Sequence, residues 1–537
     1  MNPTQLRPHW KLFSWLAGIG ILIYLLIQIV PSTAETFFDS GTESVITKGK
    51  AEAAASSFIQ KQFHAHPGSV HAVHQSDSLF YGYLEKNKLT KTFNKKYDTD
   101  YPTDTFQVTA EMPDNSEIFV YVHMQKGTVV AWNRLNESDT TPAEGKELTD
   151  AALAFAASKG FAKSSLSLHK TDEAKGQIWY KAADTSIGGA PLLLSIRGEK
   201  LANGSFLIAS YKPQFQVPSD YTSYVNEQKR IANYLSSIGS LFLSFVLFIL
   251  AIIYASLYRK HTSFLRGIVL TVLFLAMYLA NDFNMTDGIV AGYGEVLNAD
   301  TIAYVAVIVT CLITVIMALA VYFSLVGGDG LWKGMGRNLW PRFGQPGYGE
   351  HVWRSMWLGY LCAFMLLGLQ TIIFIVLMQV NGSWSTTDVT QSPYNLAAPL
   401  IFPVLAWCAA ISEEAVFRLF GIGLMKRWFK NSFVASLIPT VIWALGHVTY
   451  PIFPSTTRLL ELTIIGLIFS FLFLRYGFIT VLFAHAIFDS VMMAISLMFM
   501  GSASNILVGI VYIILPIPIA WLMRFVDAKR SPKTYTA

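Results

Sequence analysis

The sequence predicts a mainly α protein: a polytopic helical membrane bundle of about ten spans, with an extracytoplasmic α+β domain inserted after the first span. Three observations predict it. Hydrophobic residues fill 53% of the 537 positions and charged residues only 14%, where soluble globular chains carry about 25% charged residues. Apolar runs of about 20 residues, the length that crosses a bilayer, recur along the chain. One long polar segment, 31–232, separates the first run from the others.

The apolar runs lie near 12–30, 233–257, 265–282, 300–325, 355–380, 397–425, 432–450, 459–475, 478–499 and 504–524. An even number of spans puts both termini on one side. Basic residues say which side, because cytoplasmic loops carry the excess of Lys and Arg. Arg7 and Lys11 precede the first run; Arg259, Lys260 and Arg266 follow the second. Lys333, Arg337, Arg342 and Arg354 follow the fourth, Lys426, Arg427 and Lys430 the sixth, and Arg524, Lys529, Arg530 and Lys533 the last. The loops between, 283–299 and 381–396, have no Lys or Arg. Both termini are therefore expected in the cytoplasm.

The first run is expected to remain as an anchor, 1–30. A cleaved signal peptide is the alternative, with Ser32-Thr33-Ala34 resembling a small-residue cleavage site, but the apolar run is longer than a usual signal core. The polar segment 31–232 carries aromatics and alternating runs, so it is expected to fold, as two α+β repeats. The first repeat opens with a helix over Ala51–Phe63 and continues in strands Leu79–Leu84, Thr105–Glu111, Glu117–Met124 and Thr128–Trp132. The second opens with a helix over Thr149–Lys159, followed by strands Gln177–Ala182, Pro191–Arg197 and Ser205–Tyr211. Accessory helices follow over 233–380, then a C-terminal bundle over 381–525 and a cytoplasmic tail, 526–537.

Several features point to no chemistry. A net charge of +5 over this length makes no case for nucleic acid. Cys311, Cys362 and Cys408 each lie in an apolar run, as buried thiols do. The glycine-rich stretch 326–354 has no Gly-Lys-Ser/Thr sequence and reads as a flexible basic linker. His64, His66, His71 and His74 surround Pro67-Gly68 and read as a polar loop, with metal binding as the alternative. The outer segment remains a candidate for a ligand or partner.

Ionisable residues inside a span are costly and tend to have a function or a partner. The runs from 397 to 499 hold several: Glu413, Glu414, Arg418, His447, Arg458, Glu461, Arg475, His485 and Asp489. Counting from the cytoplasmic ends at the helical rise, Glu413 lies roughly 18 Å deep, His447 roughly 22 Å, His485 roughly 12 Å and Asp489 roughly 18 Å. Three runs of alternating direction thus bring polar groups to similar depth. Glu414 and Arg418 are four apart in the favoured order for a helical ion pair, which leaves Glu413 free. His485 and Asp489 share a face. A free carboxylate can take a proton from water. One histidine can help that water, and the other, with Asp489, can polarise a carbonyl. Alternatively, His447, His485 and Asp489 make a zinc or other divalent-metal set with an open position for water. No serine or cysteine nucleophile sits at comparable spacing. Arg458 and Glu461 read as an interfacial pair and Arg475 as an anchor.

At these residues the chain resembles the CPBP family, which includes the CAAX prenyl endopeptidases and the bacterial Abi-type membrane proteins. The matching motifs are Glu413-Glu414-Ala-Val-Phe-Arg418, Trp443-Ala-Leu-Gly-His447 and His485-Ala-Ile-Phe-Asp489, within roughly 397–500. The resemblance implies an intramembrane peptidase in a bacterial cell membrane, acting on a peptide or protein substrate. It implies Glu413 as base, Glu414 as its acidic partner tied to Arg418, His447 assisting the water or binding metal, and His485 with Asp489 as oxyanion wall or ligands. Two departures stand out. Trp443 replaces the usual Phe, and Asp489 stands where prenyl endopeptidases have Asn, a better metal ligand or histidine partner than oxyanion donor. Two other functions compete: a non-catalytic scaffold or sensor with a ligand-binding outer domain, and a proton-coupled transporter.

Overall fold

The computed structural model describes residues 6–31, 44–135, 141–200 and 206–530. The signal-cleavage motif at 32–34 lies outside them, as does the end of the tail. Among the described residues seven helices are long and apolar enough to cross a membrane, or up to nine when each of two bent pairs is one span. The chain is a multi-pass membrane protein carrying a separate antiparallel sheet domain.

Helix α1 (Trp10–Ile29) leads to the sheet domain. There α2 (Lys48–Phe63) is capped by Thr47, whose hydroxyl oxygen accepts from the Lys50 N–H at 3.3 Å. Strand β1 (Ser69–Ser76), helices α3 (Ser78–Lys86) and α4 (Thr90–Lys96), and strands β2 (Asp104–Glu111), β3 (Glu117–His123) and β4 (Val129–Leu135) follow. After the short β5 (Thr141–Pro142), α5 (Gly145–Ser158) precedes β6 (Leu166–Asp172), β7 (Gln177–Ile187), β8 (Ala190–Lys200) and β9 (Phe206–Phe215). The sheet runs β1-β2-β3-β4-β9-β8-β7-β6, so two meanders meet last strand to last strand. Their seam pairs Trp132 with Tyr211 and Asn133 with Ser210. Phe106, Val108, Val120 and Trp132 from one half and Leu192, Leu194 and Ile196 from the other form the core.

Two expectations fail in this domain. Leu79–Leu84 is helical, not a strand: Asp77 caps the turn by accepting from the Phe80 N–H at 3.1 Å, and Phe80, Tyr83 and Leu84 fall on one helical face. The histidine segment is not all loop either. His71 and His74 sit on β1, in register with Thr109 and Phe106 of β2.

The bundle continues with α6 (Ser219–Leu257), α7 (Ile268–Asn284), α8 (Thr286–Tyr293), α9 (Ala299–Gly334) and α10 (Tyr348–Asn381). Then come α11 (Pro399–Phe429), α12 (Ser432–Leu445), α13 (Thr456–Tyr476), α14 (Phe478–Met498), α15 (Ala503–Ile514) and α16 (Pro516–Arg530). The α7–α8 pair bends by 45° and the α15–α16 pair by 41°, the latter where Pro516 interrupts the chain. Helix α1 packs on α10, Gly20 against Gly368.

Of the ten expected spans, seven to nine are long and apolar enough to cross by themselves among the described residues. The run 432–450 forms only the 14 residues of α12, about 21 Å of helix, short of the bilayer's roughly 30 Å core. Gly446 and then Pro451 and Pro454 stop it. The linker reading of 326–354 also fails at its start. Gly327, Gly328 and Gly330 are buried within α9, and a Cβ at Gly328 would stand 2.8 Å from the Leu419 side chain. Gly328 lets α9 lie directly on α11, while Gly327 lets it lie on Ala251 of α6 and Gly330 on Tyr258 just after α6.

The sheet domain is fastened to one end of the bundle. His71 bridges Asp287 of α8 (3.2 Å) and Asp300 of α9 (2.9 Å). The Tyr121 hydroxyl and the Asn133 amide donate to Glu295 at 2.8 and 2.9 Å. His74 contacts Ser392 at 2.8 Å, and its N–H donates to Asn395 at 2.6 Å, just before α11.

Candidate active site

Glu413 ends the α-helical first part of α11, and the backbone widens into a π-helical stretch from Glu414 to Ile422. Such stretches often occur at functional sites, where the wider turn re-aims neighbouring side chains. Here it separates two adjacent acids. The Glu413 side chain is 21% exposed, into a cavity, while Glu414 is fully buried.

Glu414 lies 3.1 Å from Arg418, the pairing their spacing predicts. The Arg418 guanidinium stacks over the Trp443 ring at 4.3 Å. The Trp443 indole N–H in turn donates to a Glu413 carboxylate oxygen. Glu413 is thus not free, as the sequence suggested. It is held by the residue that departs from the family motif, and phenylalanine has no such donor.

His447 lies in the turn after α12, not within a span. Its Nδ1 is 3.0 Å from the Trp443 carbonyl oxygen. A carbonyl only accepts, so Nδ1 carries the proton. In the neutral ring Nε2 is then a lone pair, and it faces Glu413 at 3.7 Å. His485 approaches from α14, with Nε2 3.8 Å from the other Glu413 oxygen. Its Nδ1 is 2.7 Å from Glu414 and its Nε2 is 3.2 Å from Asp489. Phe469 stacks on the ring at 4.8 Å. The structure therefore brings Glu413, Glu414, Arg418, Trp443, His447, His485 and Asp489 into one cluster. Arg458 and Glu461 pair with each other at 2.7 Å.

A cavity of about 880 Å³ adjoins the cluster. Glu413, Trp443, His447, His485 and Asp489 line one part of it. Tyr278, Asn281 and Asp282 of α7 line another. These α7 residues were missed because they fall at the end of an expected span, where polar groups are ordinary. The signal available was a polar Asn-Asp pair directly following an apolar run.

His447, His485 and Asp489 do not converge as a metal cage. Among the described residues no group of three His, Cys, Asp or Glu side chains is placed to hold an ion, and His485 Nε2 is already bonded to Asp489.

Residues 395–491 match the family model described as type II CAAX prenyl endopeptidase Rce1-like. Within the C-terminal bundle, this stretch is similar to the CAAX-type endopeptidase family. The sporulation-killing factor biosynthesis protein SkfC of Bacillus subtilis (strain 168) is similar, at 24% identity over 257 residues. That alignment covers 46% of this chain and 49% of SkfC, so it spans about half of the relative's length. No solved structure matches the chain.

Proposed function

We propose that this protein is an intramembrane endopeptidase in which Glu413 activates the water that cleaves a peptide bond. The observation that carries the reading is the placing of Glu413 on the cavity between two histidine Nε2 atoms, at 3.7 and 3.8 Å. Such gaps suit polar groups that meet through a water.

The water donates one hydrogen to Glu413 and the other to the His447 Nε2 lone pair. Its oxygen attacks the carbonyl carbon as Glu413 takes the proton. His485 is flanked by Glu414 and Asp489 and donates from both nitrogens. Its long Nε2–H bond to Asp489 shifts to the oxyanion as charge develops there. The C–N bond then breaks, and Glu413 returns its proton to the leaving amine. The side chains as placed do not fit a metal, and no step uses one. The sheet domain is assigned to the extracytoplasmic side, because Arg266, Lys333 and Arg342 gather around Asp329 near the opposite end.

The test uses the full chain in detergent with internally quenched apolar peptides, with and without a chelator. Wild type cleaves in both conditions. Glu413→Gln is inactive at an unchanged melting temperature. Full activity of Glu413→Gln would sink the reading, and loss of wild-type activity on chelation would sink its metal-free form.

A further inference from the structure

Helix α7 lies outside the family match at 395–491, yet it contributes to the same cavity as Glu413. Its last turn reads Asn281-Asp282-Phe283-Asn284. The three polar side chains there have three different situations. Asp282 accepts from the Thr314 hydroxyl of α9 at 2.7 Å. Asn284 accepts from the Ala398 N–H at 2.6 Å, in the segment that leads into α11. These two bonds fix α7 against both the accessory helix and the catalytic helix.

Asn281 has no such tie. It is 4% exposed, lines the cavity, and its Oδ1 has no hydrogen-bond partner among the described residues. Its Nδ2 reaches only the Met285 sulfur, at 3.2 Å, a weak acceptor. Tyr278 and Met285, one turn to either side, line the same cavity, so this face of α7 is a cavity wall. A buried carbonyl without a donor is costly and is rare in folded proteins.

We infer that Asn281 is a substrate-binding residue that accepts a backbone N–H of the peptide lying across Glu413. The inference rests on the peptidase reading. A lipid acyl chain has no donor to offer. An apolar peptide in extended form offers main-chain N–H groups whatever its side chains are. The ligand class is therefore an extended, apolar peptide segment recognised through its main chain. The accessory helices, not the family-matched bundle alone, then set its register.

The test replaces single peptide amides by esters along a cleavable peptide, which removes one N–H at a time. Wild type loses about tenfold in kcat/KM at one position, the size of one neutral hydrogen bond. Asn281→Leu has the same loss on the all-amide peptide, carried in KM, and no further loss at that ester. Asn281→Asp keeps an acceptor and keeps the ester penalty. A parallel arm measures anisotropy of labelled peptide on Glu413→Gln with and without Asn281→Leu, and needs no turnover. Binding about tenfold weaker in the double variant supports the site. Equal binding by both overturns it, as does an ester penalty that survives Asn281→Leu. Absence of cleavage with the binding difference intact would overturn the peptidase reading alone.

Discussion

Two histidines in this protein each sit between two carboxylates. His485 lies between Glu414 and Asp489 within the bundle, its side chain 4% exposed. His71 lies between Asp287 and Asp300 at the foot of the sheet domain, 35% exposed. The local chemistry is nearly the same, but the surroundings differ. His485 adjoins a cavity and a further acid, Glu413, which Trp443 holds at the edge of that cavity. His71 meets acids that are used in fastening one domain to another, and Lys48 adds a second cation to Asp287. A histidine between acids is thus not a site in itself. The cavity and the available carboxylate make the difference.

The largest effect is expected at Glu414. Glu414→Gln leaves the Arg418 guanidinium, 1% exposed, without its counter-charge, and breaking such a pair costs about 3–5 kcal/mol. A large drop in melting temperature, read by tryptophan fluorescence in detergent, is the expected outcome; an unchanged value would remove the structural role given to this acid. Asp489→Asn keeps the shape and weakens the hold on His485. Activity should fall about 100-fold, the low end of what a positioned acid–base group contributes, with stability little changed. Trp443→Phe restores the usual family residue and removes the indole donor to Glu413. A loss of about tenfold in kcat is expected, the value of one hydrogen bond, and an unaltered kcat would show that the indole does not position the base.

The smallest effect belongs to the other histidine. Its hydrogen bonds to Asp287, then to Asp300, hold the His71 pKa up at about 10, above the ordinary 6.5 or so of a free histidine. The folded state therefore binds the extra proton between those values. The stabilisation is complete below the ordinary value and is lost as pH rises through about 10. Docking of the sheet domain, followed by proteolysis at its base, should loosen across that window, and His71→Gln should flatten the profile. A wild-type profile that is already flat would remove the charge from this contact.

Much of the C-terminal cluster was legible in the sequence because membranes make ionisable residues conspicuous. The Glu414–Arg418 spacing and the depth count needed no tertiary knowledge. The rest depended on contacts that have no local pattern. Trp443 read only as a replacement for the usual Phe, and its N–H bond to Glu413 became visible only with α12 beside α11. His447 seemed to lie within a span because Ile, Trp and Leu continue the apolar run to Gly446. Glycines 327, 328 and 330 looked like a linker by composition, since composition does not reveal a neighbour packed close enough to exclude a Cβ. In the sheet domain β1 was hidden by its histidines, which are polar because they face the bundle.

The shortness of α12 has a consequence for how the protein is made. A stretch that cannot reach across the hydrocarbon layer by itself has little to gain from leaving the translocation channel alone. It packs against α11, made before it, and α13, made after it. The candidate site therefore closes last along the chain, and a chain that stops before α14 holds every accessory helix from α6 to α10 but lacks His485 and Asp489.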